Sequence, residues 1–140
     1  MKTVTIEEVE YIAFKLMQMK LSYDEARPDF STRFPNNLEN CLITPLQQTA
    51  GKDLYPSLVS KAGILFYQMI KNKPFEKGNR KIATAVLLTF LYKNGKWLKA
   101  DIKEFFNFIE WVAQSPAMLK EQVLSGIELF IRSHLVNLQD

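Results

Sequence analysis

Apolar residues recur at helical spacing near the N-terminus, directly after a pattern that is typical of a helix start. Thr5-Ile6-Glu7-Glu8 has the form of a capping box, in which the first and last side chains satisfy each other's backbone amides. The apolar positions that follow are Val9, Ile12, Ala13, Leu16 and Met17. The pattern predicts a first helix from about Ile6 to Leu21.

This periodicity is lost between Ser22 and Lys52. The residues that interrupt it are Pro28, Pro35, Pro45, Gly51 and the pair Asn36-Asn37. We expect a long loop with one short helical turn around Leu38 to Ile43. Loops of this length inside a compact domain are commonly functional or mobile.

Helical periodicity returns at Tyr55, where Pro56 suits the first turn of a helix. The apolar face consists of Leu58, Val59, Ala62, Leu65, Phe66, Met69 and Ile70. This second helix is predicted to end near Asn72, because Pro74 disfavours helical angles at Lys73.

The third predicted helix runs from Arg80 to Lys93 and is apolar on nearly every side. Asn79 is suited to cap its start, and Asn94-Gly95 is suited to end it. A helix that is apolar all round belongs at the centre of a bundle.

Two further helices complete the chain. Asp101 is predicted to cap a fourth helix, and Ser115-Pro116 to start a last one that ends near Val136. No strand, repeat or linker is evident. We therefore predict an all-α class: one compact, single-domain helical bundle over residues 1–140, around a buried central helix.

Composition adds a few exclusions. The chain is 47% hydrophobic and 24% charged with a net charge of +3, which is ordinary for a globular protein. The single cysteine, Cys41, cannot form an internal disulfide and is expected to be a small buried apolar residue. The single histidine, His134, excludes a multi-histidine metal site and is expected at the surface or at a helix end.

The sequence shows no sign of a membrane segment. The N-terminus carries acids where a signal peptide needs an apolar stretch, and the longest nearly apolar run, Ile82 to Tyr92, is too short to span a bilayer. We expect a cytoplasmic protein.

The polar loop before the third helix has the chemistry of an anion site. A helix N-terminus offers unpaired amides and the positive end of the helix dipole, and Gly78 has no side chain to hold a phosphate away. The cations around it are Lys71, Lys73, Lys77, Arg80 and Lys81. The same residues also suit a plain connector with a solvated charge run, and spacing alone leaves both interpretations open.

The loop sequence resembles the signature of the Fic/Doc family, in its death-on-curing branch. Lys73-Pro74-Phe75-Glu76-Lys77-Gly78-Asn79-Arg80-Lys81 is similar to His-Pro-Phe-x-Asp/Glu-Gly-Asn followed by Gly-Arg or Lys-Arg. The resemblance covers about Leu38 to Trp97, including the helices on either side of the loop. It implies a compact helical bundle that transfers AMP or a phosphoryl group from a nucleoside triphosphate to a protein hydroxyl.

The resemblance also implies roles for single residues. In the family the histidine accepts the proton of the target hydroxyl, the acid holds Mg²⁺, and the residues after it bind phosphates. Carried over, phosphate binding falls to Gly78, Asn79, Arg80 and Lys81, while Pro74 and Phe75 anchor the loop. The preceding loop, about Thr44 to Tyr55, would be a flap that aligns the target chain through Gln48, Thr49 and Gly51. A plain surface loop is the alternative.

Two chemically specialised residues of the signature are replaced. Lys73 stands at the histidine position and Lys77 at the acid position, and the basic pair is reversed to Arg80-Lys81. A lysine is protonated at neutral pH and makes a poor base, and a lysine repels Mg²⁺. Lys77 is instead suited to neutralise a phosphate directly. We therefore expect ATP or another nucleoside triphosphate as a ligand, and no metal site.

Three functional hypotheses follow. The first is a degenerate Fic/Doc-like domain that keeps an anion pocket and binds a nucleotide, a protein target or an antitoxin-like partner. The second is an active transferase in which Lys73 and the basic cluster stabilise the transition state electrostatically. The third is a nucleic-acid-binding module, which is weaker because exposed aromatic residues do not alternate with the cations of Lys71 to Lys81.

Overall fold

The computed structural model describes residues 1–18 and 27–138, and these residues form a mainly helical bundle. The helices are α1 (Ile6–Gln18), α2 (Pro35–Ile43), α3 (Leu58–Lys71), α4 (Asn79–Lys93), α5 (Ile102–Gln114) and α6 (Lys120–His134). Short 3-10 helices cover Phe30–Thr32, Thr44–Leu46 and Ala117–Leu119, and short strands are β1 (Gln48–Thr49), β2 (Lys52–Asp53), β3 (Lys96–Leu98) and β4 (Leu135–Asn137). The predicted all-α class is confirmed.

Helices α3 and α4 form the centre of the bundle. They pack against each other, α3 also contacts α2, α5 and α6, and α4 contacts α1 and α5. Every residue from Lys61 to Tyr67 in α3 is buried. The buried residues of α4 are Ile82, Ala83, Val86, Leu87, Phe90 and Leu91. The predicted burial of this helix is correct, and α3 shares the central position with it.

The predicted capping box at the N-terminus is present. The Glu8 amide donates to Thr5 Oγ1 at 3.1 Å, and the Thr5 amide donates to Glu8 Oε1 at 2.9 Å. Lys93, the last residue of α4, binds the same Glu8 oxygen and the carbonyl of Thr3, each at 2.6 Å. The start of α1 is therefore tied to the end of α4. The last predicted residues of the first helix, 19–21, lie outside the described residues.

Two predicted helix starts are wrong. Helix α3 begins at Leu58 rather than at Tyr55, because Ser57 and Ser60 form a reciprocal capping box with bonds of 3.0 Å. Ser115 ends α5 instead of capping the last helix: its hydroxyl donates to the carbonyl of Val112 at 2.7 Å. A 3-10 turn then precedes α6.

The expectation of no strands is also wrong, although the strands are short. β1 pairs antiparallel with β2, and β3 pairs antiparallel with β4. Strands of two or three residues carry too little alternation to show in a sequence pattern. In addition, Lys96–Leu98 pairs with Leu135–Asn137 from the far end of the chain, which no local signal announces.

The cysteine and the two tryptophans differ in burial, and the predicted burial of Cys41 is confirmed. Cys41 is fully buried, and burial raises the pKa of its thiol to about 11, so the side chain is a neutral core residue at ordinary pH. Trp97 and Trp111 are 39% and 48% exposed, so neither is a core residue. In the described ranges, no helix has both the length and the apolar character needed to cross a membrane.

Candidate functional site

Two adjacent residues fix the loop between α3 and α4 to the bundle. Pro74 is buried and Phe75 is only 1% exposed, with its ring 6.4 Å from the ring of Phe30. The carbonyl of Pro74 accepts a hydrogen bond from the Phe34 amide at 2.8 Å. Pro74 and Phe75 thus bury the first part of the loop in the bundle.

The Asn79 side chain closes the loop from within. Its Oδ1 accepts from the Phe75 amide at 3.0 Å, and its Nδ2 donates to the Phe75 carbonyl at 2.8 Å. The predicted N-cap role of Asn79 is wrong, because Asn79 is already the first helical residue and Gly78 is the N-cap. The amide group that was predicted to bind phosphate thus holds two groups of the loop backbone.

Gly78 is required by a close approach of the chain to itself. Its φ is +79°, a left-handed conformation that favours glycine. A β-carbon there would lie 2.4 Å from the Pro28 nitrogen and 2.7 Å from the Arg27 carbonyl carbon. The space that was predicted to admit a phosphate is therefore occupied, on this side, by the backbone of Arg27 and Pro28.

A cavity of about 500 Å³ lies in front of the first turn of α4. The described residues that line it are Ile70, Lys71, Lys73, Glu76, Lys77, Gly78, Asn79, Arg80 and Ala113. The first backbone amides of a helix have no partner inside the helix, and no side chain among the described residues caps α4. The cavity therefore combines helix amides, the positive end of the helix dipole and several cationic side chains.

The protein itself already engages two of these cations. Lys71 Nζ donates to the carbonyls of Ala113 and Ser115 at 3.3 and 2.5 Å, at the end of α5. Arg80 Nε lies 2.7 Å from Glu110 Oε1, and a second guanidinium nitrogen lies 3.5 Å from Oε2. Lys71 thus stabilises a helix end, and Arg80 is held by a carboxylate.

Lys73 and Lys77 are both exposed and both line the cavity. Lys73 has a φ of +44°, in the left-handed region, where Asn, Asp and His occur more often than most other residues. Lys81, by contrast, is half-buried and is not part of the described lining. The structure therefore brings the two replaced signature positions together at one opening.

A second, smaller cavity adjoins the first across Glu76 and Lys77. Its volume is about 380 Å³, and it is lined by Met17, Arg27, Asp29, Thr32, Glu76 and Lys77. Hydrogen bonds from the Ser31 hydroxyl and amide, and then the positive charge of Lys77, lower the pKa of Asp29. Lys77 thus lies between the two cavities: its charge acts on the Asp29 carboxylate in the smaller one, and its side chain also lines the larger one.

The described lining of the larger cavity offers Mg²⁺ one carboxylate, with two exposed lysines beside it. Mg²⁺ usually binds one or two carboxylates together with substrate phosphates and waters, and Glu76 is the one carboxylate in the described lining of this cavity. Glu110 is nearby but bound to Arg80. Within residues 1–18 and 27–138, no cluster of three or more His, Cys, Asp or Glu side chains could hold a metal ion.

The predicted flap contains a small hairpin. β1 and β2 pair with Gln48 opposite Asp53 and Thr49 opposite Lys52, and Ala50 and Gly51 between them have φ values of +53° and +77°. Positive φ at both turn positions is typical of a tight two-residue hairpin turn. The predicted flap residues Gln48, Thr49 and Gly51 are all exposed.

Two neighbours of the site were missed by sequence reasoning. Glu110 lies thirty positions after Arg80 in the chain, and Lys61 is a buried lysine beneath the flap. Glu110 has no sequence motif around it, so only the packing of α5 beside α4 reveals it. A lysine within the apolar run of α3 was the one visible signal for Lys61.

Comparison with known proteins agrees with this architecture. A sequence model of the Fic/DOC family matches residues 3–91, well over half of the chain, and the chain belongs to this family. It is also 36% identical over 64 residues to a protein named Toxin Doc from Mycolicibacterium smegmatis. That match covers 46% of this chain and 49% of the relative, so the chain spans about half the length of the curated relative it matches. No solved structure matches it.

We predict that Gly78→Ala destabilises the protein by more than Gly51→Ala does. Both glycines have positive φ, but a β-carbon meets nothing within 4 Å at Gly51, whereas it meets the Arg27–Pro28 backbone at Gly78. The left-handed conformation alone costs about 1–2 kcal/mol, and the steric overlap adds to this at Gly78. Denaturant unfolding of the two variants measures the difference. Equal losses of stability would show that the contact with Pro28 is not a constraint.

Proposed function

We propose that this Fic/DOC-family chain is a Doc-like domain that retains a phosphate-binding pocket and has lost efficient group transfer. Its relatives by resemblance move AMP or a phosphoryl group from a nucleoside triphosphate to a protein hydroxyl. The observation that carries the proposal is the cavity at the first turn of α4. Exposed Lys73 and Lys77 line this cavity, and the helix amides beside it have no side-chain cap.

Electrostatics favour a polyphosphate in this cavity. A helix N-terminus attracts an anion by about 0.3–1 kcal/mol at an exposed site, and ammonium groups make charge-assisted hydrogen bonds with phosphate oxygens. Lys73 and Lys77 supply two such groups at the opening, where Glu76 is the opposing acid. A nucleotide such as ATP carries the charge density that suits this arrangement.

The same two lysines argue against efficient transfer. A general base must accept a proton from the target hydroxyl, and lysine side chains carry their proton at neutral pH. A lysine at position 77 cannot ligate Mg²⁺. We propose that Lys77, which lines the cavity, neutralises phosphate charge directly. We therefore propose binding of ATP or another nucleoside triphosphate without a metal ion.

The flap gives the domain a second binding element. Its hairpin is exposed, and exposed strand edges can receive an extended segment of another protein. We propose that a protein target or an antitoxin-like partner binds along this hairpin. The similarity to a protein named Toxin Doc supports such a partner, and we propose that the domain acts in the cytoplasm.

We predict that ATP binds without any gain from Mg²⁺. The ammonium groups of Lys73 and Lys77 replace part of the ion's charge, and the described lining offers the ion a single carboxylate, Glu76. Calorimetric titration with ATP, in the presence of Mg²⁺ and then of EDTA, measures this. Affinity that depends strongly on Mg²⁺ would contradict the role given to Lys77, and the absence of any binding would contradict the proposed function.

Glu110→Gln is expected to strengthen ATP binding by about two- to fivefold, which is the range that an exposed ion pair of up to 1 kcal/mol allows. The change removes the negative charge that holds Arg80, so the guanidinium can turn to the phosphates. The matched control is Glu128→Gln on α6, where the carboxylate pairs with Arg132 at 3.7 Å. Calorimetry should find the affinity of the control unchanged. Equal affinities for all three proteins would show that Arg80 takes no part in binding.

Restoring the family's residues is expected to restore chemistry. The double variant Lys73→His, Lys77→Asp supplies a proton acceptor and a metal ligand, and histidine tolerates the left-handed backbone at position 73 better than most residues do. With ATP labelled at the α or γ phosphate, Mg²⁺ and a bacterial lysate, the double variant should label protein and each single variant should label it much less. Efficient labelling by the unaltered chain would instead favour an active transferase with altered chemistry.

A further inference from the structure

Lys61 is a buried lysine on the first turns of α3, directly beneath the flap. The residue is 6% exposed, and a charged group at such a site is costly unless its hydrogen-bonding capacity is satisfied. An ammonium group has three hydrogens to donate. Lys61 Nζ lies 2.6 Å from the Tyr55 carbonyl oxygen, 3.2 Å from that of Pro45 and 3.3 Å from Asp53 Oδ2. Three donors thus meet three acceptors.

These acceptors all belong to the flap. Pro45 lies before the hairpin, Asp53 lies in β2, and Tyr55 lies just after it. One side chain therefore joins the entry, the second strand and the exit of the flap to the central helix α3. The hairpin has little else to hold it, because every residue from 46 to 54 is exposed, and an isolated two-stranded hairpin is marginally stable.

The contact continues into the first strand. Asp53 Oδ1 accepts a hydrogen bond from the Gln48 side chain at 3.0 Å, while its other oxygen faces Lys61. The hydrogen bond from Gln48, followed by the bond and charge of Lys61, lowers the pKa of Asp53. Gln48 and Asp53 form the pair beyond Thr49 and Lys52. The Leu54 amide donates to the Gln47 carbonyl, so these two residues form a hydrogen-bonded pair. Bonded and non-bonded pairs alternate along an antiparallel ladder, so the backbone amides and carbonyls of the neighbouring pair, Gln48 and Asp53, point to the outer edges of the hairpin.

We propose that Lys61 is the residue that positions the flap for a protein partner: its ammonium fixes the hairpin on α3 through Asp53 and through the carbonyls on either side. The functional part of this inference rests on the proposed use of the flap. The positioning itself does not depend on nucleotide binding, because Lys61 is absent from the described lining of the α4 cavity.

Hydrogen exchange of single amides tests the proposal on four full-length variants: Lys61→Met, Lys61→Arg, Asp53→Asn and Lys52→Met. The Leu54 amide, which donates to the Gln47 carbonyl at 2.9 Å, reports on the hairpin. The Ile82 amide, which donates to the Gly78 carbonyl at 3.1 Å, reports on α4. Lys52→Met is the matched control, because it removes an exposed lysine from the same hairpin.

In Lys61→Met, the Leu54 amide should exchange at least about tenfold faster while the Ile82 amide keeps its rate, because bonds to a charged group that hold this local unit are lost. Lys61→Arg should keep much of the protection, Asp53→Asn should show an intermediate rate, and Lys52→Met should match the unaltered chain. If Lys61→Met does not fold, Asp53→Asn decides the matter, since its changed side chain is exposed.

Unchanged exchange at Leu54 in Lys61→Met, or in Asp53→Asn if it is the variant that decides, would overturn the proposal. Equal acceleration at Leu54 and Ile82 would also overturn it, because Lys61 would then stabilise the whole fold and not the flap. ATP titrations of the same variants keep the two proposals apart: a chain that fails to bind ATP contradicts the proposed nucleotide site and leaves the exchange result intact.

Discussion

The closure of one short loop is the constraint on which the candidate site depends. The Phe75 ring is buried in the bundle, and the Asn79 amide bonds both the amide and the carbonyl of Phe75. Between these contacts, Gly78 adopts a left-handed conformation against the backbone of Pro28. The N-terminal end of α4 therefore faces the cavity. The contribution of the helix amides and of the helix dipole to the site follows from that direction.

The cationic side chains of the site fall into two groups: some are bound to other groups of the protein, and others are exposed at the opening of the cavity. Lys71 is bound to carbonyls at the end of α5, and Arg80 is bound to Glu110. Lys73 and Lys77 remain exposed at the opening. A count of positive residues therefore overstates the attraction for a phosphate, because part of that charge is already compensated inside the protein. The two lysines at the opening are also the two that replace the family's chemically specialised residues.

The flap and the loop that forms the α4 cavity are held by separate contacts. A buried ammonium, Lys61, holds the hairpin from α3, whereas the α4 loop is held by an aromatic ring and an asparagine. A change in one element need not disturb the other. The presence of Lys73 and Lys77 at the signature positions is for this reason compatible with the flap surface that we propose for a protein partner.

Much of the architecture was predictable because it depends on local patterns. Helical periodicity and the pattern Thr5-x-x-Glu8 indicated α1, and the apolar sequence of α4 indicated its central position. Helix starts were less predictable: Ser57 rather than Pro56 defines the start of α3, since two serines can cap each other only in the folded turn. The pairing of Lys96–Leu98 with Leu135–Asn137 was invisible, because it joins distant segments.

The signature loop was identifiable from its residues, and so was the family, because the family pattern is a contiguous string. The sequence alone shows that lysines occupy positions 73 and 77, where the family signature has a histidine and an acid. Only the tertiary structure shows that Arg80 pairs with Glu110 and that Gly78 packs against the Arg27–Pro28 backbone. The same holds for the hydrogen bonds from Lys61 to the flap. The reason is physical: the sequence fixes which charges exist, whereas the packing of distant helices decides which of them are already neutralised.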